Sequence, residues 1–321
     1  MSTVEPGAVD RSAVEPSARD RIGLVEVSAR DGLQNDSARL STQQKVELVA
    51  RAAAAGLRRA EIASFVNPKL VPQMADGEAV VAGVRAAVTG PASWIGLVLN
   101  SRGFHRAAAA GVDEVNCVVG VSDEFSQRNQ GMSTADAIAV VAEVAPLALA
   151  AGIEPTVTLS VAFGCPFAGE VPVERLRRVV AAVAETGVTE VAIADTIGVA
   201  VPHDVGVRVA AARELIGDLR LRAHFHNTRN TGYANALAAA DAGVGVLDAS
   251  LGGIGGCPFA PRATGNIATE DLVYALHRSG YDTGVDLDAA IAASRWLGAL
   301  LERDLPAYLP RAGAFPATVA G

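Results

Sequence analysis

An eightfold alternation of two kinds of segment constrains the fold of this chain more than any other feature. From residue 21 onward, short runs rich in β-branched residues alternate with longer, alanine-rich amphipathic runs. The short runs predict strands near 22–28, 57–63, 94–99, 113–119, 155–161, 189–194, 220–226 and 245–251. The long runs predict helices at 41–55, 77–88, 102–110, 133–150, 172–186, 203–215, 231–242 and 268–279. Strict alternation of this kind is typical of parallel strands that are covered by helices.

The way in which the sheet closes follows from the same pattern. Eight units without an obvious point of reversal favour a closed barrel over an open, doubly wound sheet. A further run at 286–303 predicts a helix packed outside the barrel. We therefore predict an α/β fold, a (β/α)8 TIM barrel with an additional C-terminal helix, as a catalytic domain over residues 21–303. Residues 1–20 are predicted to form a flexible N-terminal tail and residues 304–321 a C-terminal tail.

Composition indicates which binding partners and which cellular compartment to expect for this chain. The formal net charge is −8 and the sequence pI is about 5.2, which argues against nucleic acid or an anionic membrane as the main partner. Three cysteines do not make a disulfide framework and suit a reducing compartment. The first twenty residues lack an apolar core and carry four acidic side chains, so we expect neither a secretory signal nor a transit peptide. A cytoplasmic protein is the expectation.

Polar side chains collect at the carboxyl ends of the predicted strands. Arg30 and Asp31 follow the first strand, Glu61 lies in the second, and His224 and His226 end the seventh. The amino ends of the strands carry no comparable collection. Because barrels of this type do their chemistry at the C-terminal face, we predict the active site there.

The two histidines indicate a metal site. Residues i and i+2 of a strand point to the same face, so His224 and His226 both face the barrel axis. Strands 1 and 7 both neighbour strand 8 in a closed barrel, so Asp31 can join them, with Asn266 in the loop after strand 8 between them. Two imidazoles, a carboxylate and an amide oxygen favour Mg²⁺ or Mn²⁺, with Zn²⁺ or Co²⁺ as alternatives. The competing interpretation is that both histidines are hydrogen-bonded pocket residues without a metal.

Three further residues each admit two interpretations. Arg30 either takes part in a surface ion pair or is the cation that holds an enolate or carboxylate oxygen. Glu61, a charge among apolar strand residues, either supports the site from within the barrel or lies at a frayed strand end. Cys257 sits among four glycines. It is either a proton donor on a mobile loop or an incidental cysteine in a tight turn.

The lysines bear on the reaction class. Lys45 falls in the first predicted helix and Lys69 in a loop, and the chain has no other lysine. Neither lies in a strand that points into the barrel, so a Schiff-base aldolase is disfavoured and metal-assisted carbon–carbon chemistry is favoured. No nucleophile-elbow, P-loop or dinucleotide motif lies where it would need to be.

Several stretches resemble the 3-hydroxy-3-methylglutaryl-CoA lyase family. They are 25–35 (VEVSARDGLQN), 63–74 (ASFVNPKLVPQM), 194–198 (ADTIG), 253–260 (GIGGCPFA) and 265–273 (GNIATEDLV). The cysteine loop at 253–260 is the specific part. The Arg-Asp and His-x-His elements are shared more widely, with isopropylmalate synthases, citramalate synthases and carboxyltransferase barrels. The resemblance covers about residues 21 to 290.

The resemblance implies a divalent-metal-dependent carbon–carbon lyase. It would cleave 3-hydroxy-3-methylglutaryl-CoA, or a related 3-hydroxy-3-alkylglutaryl or citramalyl-type CoA ester, to acetyl-CoA and a 3-oxo acid in a retro-Claisen reaction. Leucine catabolism is the usual setting of the family, and we expect a homodimer whose partner is a CoA thioester. The alternatives are a condensing enzyme of the isopropylmalate or citramalate synthase type and a non-catalytic barrel that binds a CoA ester or a partner protein.

The resemblance also implies a role for each site residue. The metal ligands would be Asp31, His224, His226 and Asn266. Arg30 would stabilise the enolate oxygen, and Cys257 would assist proton transfer.

Further residues would act around this centre. Glu61 and Glu270 would support the site from just outside, and Gln34 and Asn35 are expected to bind the cofactor. Asn227, where the family often has an aspartate, marks a place where the acyl substrate could differ.

Overall fold

Eight of the ten strands that the structure describes close into a barrel. The computed structural model of the chain describes residues 21–256 and 265–315. Its strands are β1 (Gly23–Glu26), β2 (Arg59–Ser64), β3 (Ser93–Leu97), β4 (Glu114–Gly120), β5 (Glu154–Ser160), β6 (Gly164–Cys165), β7 (Gly169–Glu170), β8 (Glu190–Asp195), β9 (Arg220–Phe225) and β10 (Val246–Ala249). The short β6 and β7 pair as a separate antiparallel hairpin. The others form a closed barrel in the order β1-β10-β9-β8-β5-β4-β3-β2, with every neighbouring pair parallel. The predicted barrel is confirmed.

The helices follow the strands as the alternation predicts. They are α1 (Thr42–Ala54), α2 (Gly77–Ala87), α3 (Ser101–Ala110), α4 (Asp123–Gln130), α5 (Thr134–Ala150), α6 (Val173–Ala184), α7 (Pro202–Ile216), α8 (Gly232–Asp241), α9 (Thr269–Arg278), α10 (Leu287–Leu300) and α11 (Leu309–Ala312). The predicted additional helix is α10, which packs against α1 and α9. Neither α4 nor α11 was predicted. The polar sequence of α4 has no apolar period, and its start is stabilised by Ser122, whose Oγ accepts a hydrogen bond from Phe125 N at 3.2 Å.

Local capping explains why other helix boundaries follow the sequence closely. Ser41 and Ser133 each form a capping box at the start of α1 and α5. Gly111 ends α3 with φ of 85°, a left-handed conformation that glycine adopts without strain. No single helix among the described residues is long and apolar enough to span a membrane; α4 and α5, bent by 63°, meet the length and composition criteria only as a pair.

Charged side chains fill the barrel interior below its mouth. The Arg59 guanidinium donates to both Glu114 and Glu190 at 2.7–3.1 Å. Arg222 lies 3.4 Å from Glu190 Oε1 and 3.4 Å from Asp248 Oδ1. Glu190 is completely buried. The network links five strands and places Asp248 at its upper end, beside the mouth of the barrel.

The segment after α10 packs on the barrel where the structure describes it. Ala307 N donates to Gly252 O at 3.2 Å, and Tyr308 N donates to Asp271 Oδ2 at 2.8 Å. A Cβ on Gly252 would clash with Leu305 Cδ1. The stretch up to residue 315 therefore covers the start of the loop after β10. The division of the chain into a barrel domain and two tails stays a prediction.

Candidate active site

A cavity of about 350 Å³ opens at the carboxyl ends of the strands. Its walls include Arg30, Asp31, Glu61, His224 and His226, which the sequence placed on three separate segments. The closed barrel brings these segments together around one cavity. The cavity is therefore the candidate active site.

A single π-helical turn presents Arg30 and Asp31 to the cavity. The turn Ser28–Gly32 follows β1 directly, with Gly32 N donating to Val27 O at 3.0 Å. The buried carboxyl group of Glu26 accepts a hydrogen bond from Ser28 N at 2.8 Å and turns the chain at this point. Isolated π-turns of this kind are frequent at functional sites.

The predicted metal ligands lie together. Asp31, His224 and His226 each offer a ligand atom, and these atoms all lie within 4.8 Å of one another, the one such group of three among residues 21–256 and 265–315. Asn266 forms a β-bridge with His226, and its Nδ2 donates to Asp31 Oδ2 at 2.9 Å. Buried His226 Nδ1 and Asn266 Oδ1 have no hydrogen-bond partner. Buried polar atoms left unpaired in this way fit a bound cation. The assignment of the four residues as ligands stays a prediction.

Burial and local charges keep Asp31 and His226 in forms that can coordinate a cation. Burial alone would raise the pKa of Asp31, but Arg30 and the two histidines lower it to about 2. Burial, with His224 nearby, lowers the pKa of His226 to about 3. Burial would also lower the pKa of His224, but its hydrogen bond to Asp248 raises it. At neutral pH, Asp31 is thus a carboxylate and His226 a neutral imidazole, as metal binding requires.

Arg30 is held rigidly beside the predicted metal ligands. Its Nε donates to Glu61 Oε2 at 2.6 Å, its Nη2 donates to the same oxygen, and its Nη1 donates to Asp31 Oδ1 at 2.9 Å. Glu61 Oε1 accepts in turn from Asn116 Nδ2 at 3.0 Å. Glu61 is buried and points into the barrel, in line with the first of its two interpretations. The arrangement aims a fixed positive charge at the cavity.

The remaining predicted residues take different places. Gln34 and Asn35 line the cavity, and Asn35 Nδ2 donates to Gly256 O at 3.2 Å. Glu270 is fully buried outside the cavity lining, where it accepts from Gly252 N at 3.1 Å. It supports the start of the glycine-rich loop. Cys257 lies outside the described residues, although the preceding Gly256 lines the cavity.

Asp248 is the main site residue that the sequence reasoning missed. Its Oδ2 lies 3.2 Å from His224 Nδ1. A carboxylate flanked by apolar residues in the last predicted strand was the available signal. Asn227 is not part of the described cavity wall; its Oδ1 accepts from Gly232 N at 3.1 Å and shapes the turn before α8. Asp195 likewise accepts from Val199 N and Ala200 N, both at 2.9 Å.

Comparison with known proteins decides the family. The HMGL-like family model matches residues 21–297 of the chain. The chain belongs to the HMGL-like family. This HMGL-like chain is 44% identical over 302 residues to the (R)-citramalyl-CoA lyase of Chloroflexus aurantiacus. The aligned region covers 92% of the chain and 95% of that relative. It is 34% identical over 288 residues to a hydroxymethylglutaryl-CoA lyase of Bacillus subtilis, over 89% of the chain and 95% of the relative.

A solved structure agrees with this membership. The HMG-CoA lyase from Acinetobacter baumannii, in complex with coenzyme A and 3-methylmalate, superimposes with a TM-score of 0.88 and 38% identity. The match covers 92% of the HMGL-like chain and 96% of that structure. These relatives are lyases, and the HMGL-like chain is likewise an enzyme.

Proposed function

We propose that the chain is a divalent-metal-dependent lyase that cleaves the CoA ester of a 3-hydroxy acid to acetyl-CoA and an oxo acid. The observation that carries the proposal is the group of Asp31, His224 and His226 beside the unpaired Asn266 Oδ1. This group shares one cavity with the fixed Arg30 guanidinium. Membership of a family of CoA-ester lyases supports it.

The cation would be held by four residues. Asp31, His224, His226 and Asn266 supply two nitrogens and two oxygens and no thiolate, which favours Mg²⁺ or Mn²⁺, with Zn²⁺ or Co²⁺ as alternatives. When bound, such a cation supplies Lewis acidity toward the hydroxyl and carboxylate oxygens of the substrate. Asn266 Nδ2 also orients the Asp31 carboxylate through the bond of 2.9 Å.

The protein groups account for the movement of protons and charge. Asp31, or a water that it orients, takes the proton of the tertiary hydroxyl, and that carbon becomes the carbonyl of the oxo acid. The C2–C3 bond breaks, and its electron pair passes to the thioester as an enolate. Arg30, fixed by Glu61, stabilises the developing negative charge on the enolate oxygen. Cys257 returns a proton to C2, which completes acetyl-CoA.

The acyl group follows one of two patterns. A citramalyl group carries a carboxylate on the hydroxyl-bearing carbon and yields a 2-oxo acid, pyruvate. A 3-hydroxy-3-methylglutaryl group carries its carboxylate one carbon further away and yields acetoacetate. The 44% identity to a citramalyl-CoA lyase favours the first pattern, and the identity of 34% to a hydroxymethylglutaryl-CoA lyase keeps the second as a candidate. A homodimer in the cytoplasm remains part of the proposal.

A product assay tests the reaction. The purified protein is incubated with each ester and with Mg²⁺, Mn²⁺, Zn²⁺ or Co²⁺ in turn, and acetyl-CoA, pyruvate and acetoacetate are measured. We expect metal-dependent release of acetyl-CoA with one of the two oxo acids. Failure to cleave either ester with any of the four metals would contradict the proposal.

The same assay, applied to the variant Cys257→Ala, tests the role of Cys257 in proton transfer. Cys257→Ala is expected to lower kcat about 100-fold or more, because a general acid contributes at least that factor. Metal content should not change. Cys117→Ala is the matched control, since this buried thiol in β4 does not line the cavity. Full activity of Cys257→Ala would make the cysteine loop a structural feature only.

A further inference from the structure

A chain of side-chain hydrogen bonds crosses the bottom of the candidate active site. Arg222 Nη2 donates to Thr158 Oγ1 at 3.1 Å, and Thr158 Oγ1 donates to Asn116 Oδ1 at 3.1 Å. Asn116 Nδ2 donates in turn to Glu61 Oε1 at 3.0 Å. All four residues line the cavity. The hydrogen-bond chain therefore begins at the buried ion pairs of Arg222 and ends at the carboxylate that holds Arg30.

The strand register lets this chain reach across strands that do not pair with each other. Arg222 of β9 and Thr158 of β5 both lie in register with Ala192 of β8, the strand between them. Because the methyl group of Ala192 is small, the guanidinium of Arg222 reaches past it to the Thr158 hydroxyl. Asn116 of β4 likewise reaches Glu61 of β2 across β3. The hydrogen-bond chain thus joins four strands through their side chains, from β9 to β2.

The direction of each hydrogen bond in the chain is fixed from both ends. A guanidinium group only donates, and a carboxylate only accepts. Thr158 Oγ1 accepts from Arg222, so its single proton is directed to Asn116. Asn116 must accept that proton with Oδ1, which turns its Nδ2 toward the Glu61 carboxylate. A reversed amide would set two donors or two acceptors against each other, so the chain has one arrangement.

We propose that Asn116 and Thr158 are positioning residues for the lyase reaction, which hold Glu61, and through it Arg30, in the direction that stabilises the enolate. This inference rests on the proposed function, because it takes the enolate oxygen as the group that Arg30 meets. Glu61 Oε2 accepts twice from Arg30, while Oε1 accepts from Asn116. Without the Asn116 amide, that carboxylate loses the contact that sets its rotation. A small misplacement of a catalytic group costs up to about 100-fold in rate.

Two variants interrupt the chain at different points. Thr158→Val keeps the shape of the side chain without the hydroxyl, and Asn116→Leu removes the amide. Each should lower kcat about tenfold and leave KM unchanged, because the enolate forms only after the substrate is bound. Thr158→Ser keeps the hydroxyl and should retain the wild-type kcat. The double variant should lose no more kcat than Asn116→Leu alone, since both substitutions break the same chain.

A matched variant and a measurement without turnover complete the design. Thr186→Val removes a partly buried hydroxyl just after α6, outside the cavity lining, and should change neither kcat nor KM. The Nε–H proton of Arg30 gives an NMR signal, identified by its loss in Arg30→Lys. Its exchange with water should be about fivefold faster in Thr158→Val and Asn116→Leu, because loss of one hydrogen bond loosens the guanidinium.

The exchange rate separates this inference from the proposed function. Faster exchange in both variants, with the wild-type rate in Thr158→Ser and Thr186→Val, supports the positioning role even if no ester is cleaved. Unchanged exchange in both variants overturns the inference and leaves the lyase reaction standing. A fall in kcat that Thr158→Ser shares, or a rise in KM of the same size, also overturns it, because a general loss of structure would then explain the effect.

Discussion

The two histidines of the β9 end are not equivalent residues. His224 Nδ1 is engaged with Asp248 at 3.2 Å, which leaves Nε2 as its free ring nitrogen. His226 Nδ1 is buried without a partner. A carboxylate behind a coordinating histidine orients the ring and increases its basicity. Asp248 is therefore the positioning residue that the sequence motif His-x-His does not contain.

The Mn²⁺ affinity of single-residue variants tests the role of Asp248 behind His224. His224→Ala should abolish stoichiometric Mn²⁺ binding, and Asp248→Asn should weaken it about 10- to 100-fold, since the ring loses its charged partner. Titration calorimetry with Mn²⁺ measures both without turnover. Asp218→Asn, an exposed acid distant from the cavity wall, serves as the control. Unchanged Mn²⁺ affinity in His224→Ala would remove it from the ligand set.

Two buried carboxyl groups connect the elements around the glycine-rich loop. Glu26 accepts from Leu251 N at 3.0 Å and from Thr269 Oγ1 at 2.6 Å, which ties β1 to the loop start and to α9. Glu270, in the first turn of α9, accepts from Gly252 N. Burial raises the pKa of Glu26 above its ordinary value and that of Glu270 from 4.5 to about 7. The start of the loop is thus anchored by groups that favour their protonated forms.

The pH dependence of stability tests the environment of Glu270. The folded chain holds this proton up to about pH 7, whereas the unfolded chain releases it near pH 4.5. The stabilisation that the protonated Glu270 carboxyl contributes is therefore complete below pH 4.5 and is lost as the pH rises to about 7. Glu270→Gln mimics the protonated carboxyl, so it should be more stable than the wild type above pH 7, by on the order of 3 kcal/mol.

Denaturant unfolding at pH 5 and pH 8 measures the effect. The difference between Glu270→Gln and the wild type should grow from the lower to the higher pH. Glu185→Gln, at an exposed position, should show no such change. An equal difference at both values would show that Glu270 ionises normally in the folded chain.

The whole barrel is held across its axis by the interior ion pairs. Burial alone would raise the pKa of Glu190, but the charges of Arg222, Arg59 and Arg220 hold it below its ordinary value. These residues belong to β8, β9 and β2, so one carboxylate links three strands that are distant in sequence. Below the mouth, the barrel interior is thus filled by a network of buried ion pairs that supports Asp248 and His224.

Loss of that carboxylate should destabilise the whole molecule. Glu190→Gln leaves Arg222, which is almost fully buried, without its full counter-charge. We expect a loss of about 3 kcal/mol in the free energy of unfolding, as is typical when one partner of a buried pair is removed. Denaturant unfolding measures it. Glu174→Gln, whose side chain is 78% exposed, should change stability by less than about 0.5 kcal/mol. A similarly small effect at Glu190 would contradict the structural role of the network.

Periodicity explains how much of this molecule could be predicted from its sequence. The order and type of the strands and main helices follow from apolar spacing and from caps such as Ser41 and Ser133, which act within a few residues. The spacing of His224 and His226 placed both on one face for the same local reason. The polar helix α4 escaped prediction because it lacks an apolar period and depends on contacts with the rest of the barrel.

The sequence by itself determined the eight strand–helix units and the polar residues at the strand ends. Only the tertiary structure decided which of these residues meet. Asp248 faces His224 because β9 and β10 pair in that register, and Glu61 holds Arg30 because β2 lies beside β1. Strand register and loop packing depend on the closure of the whole barrel, and no local spacing in the sequence records them.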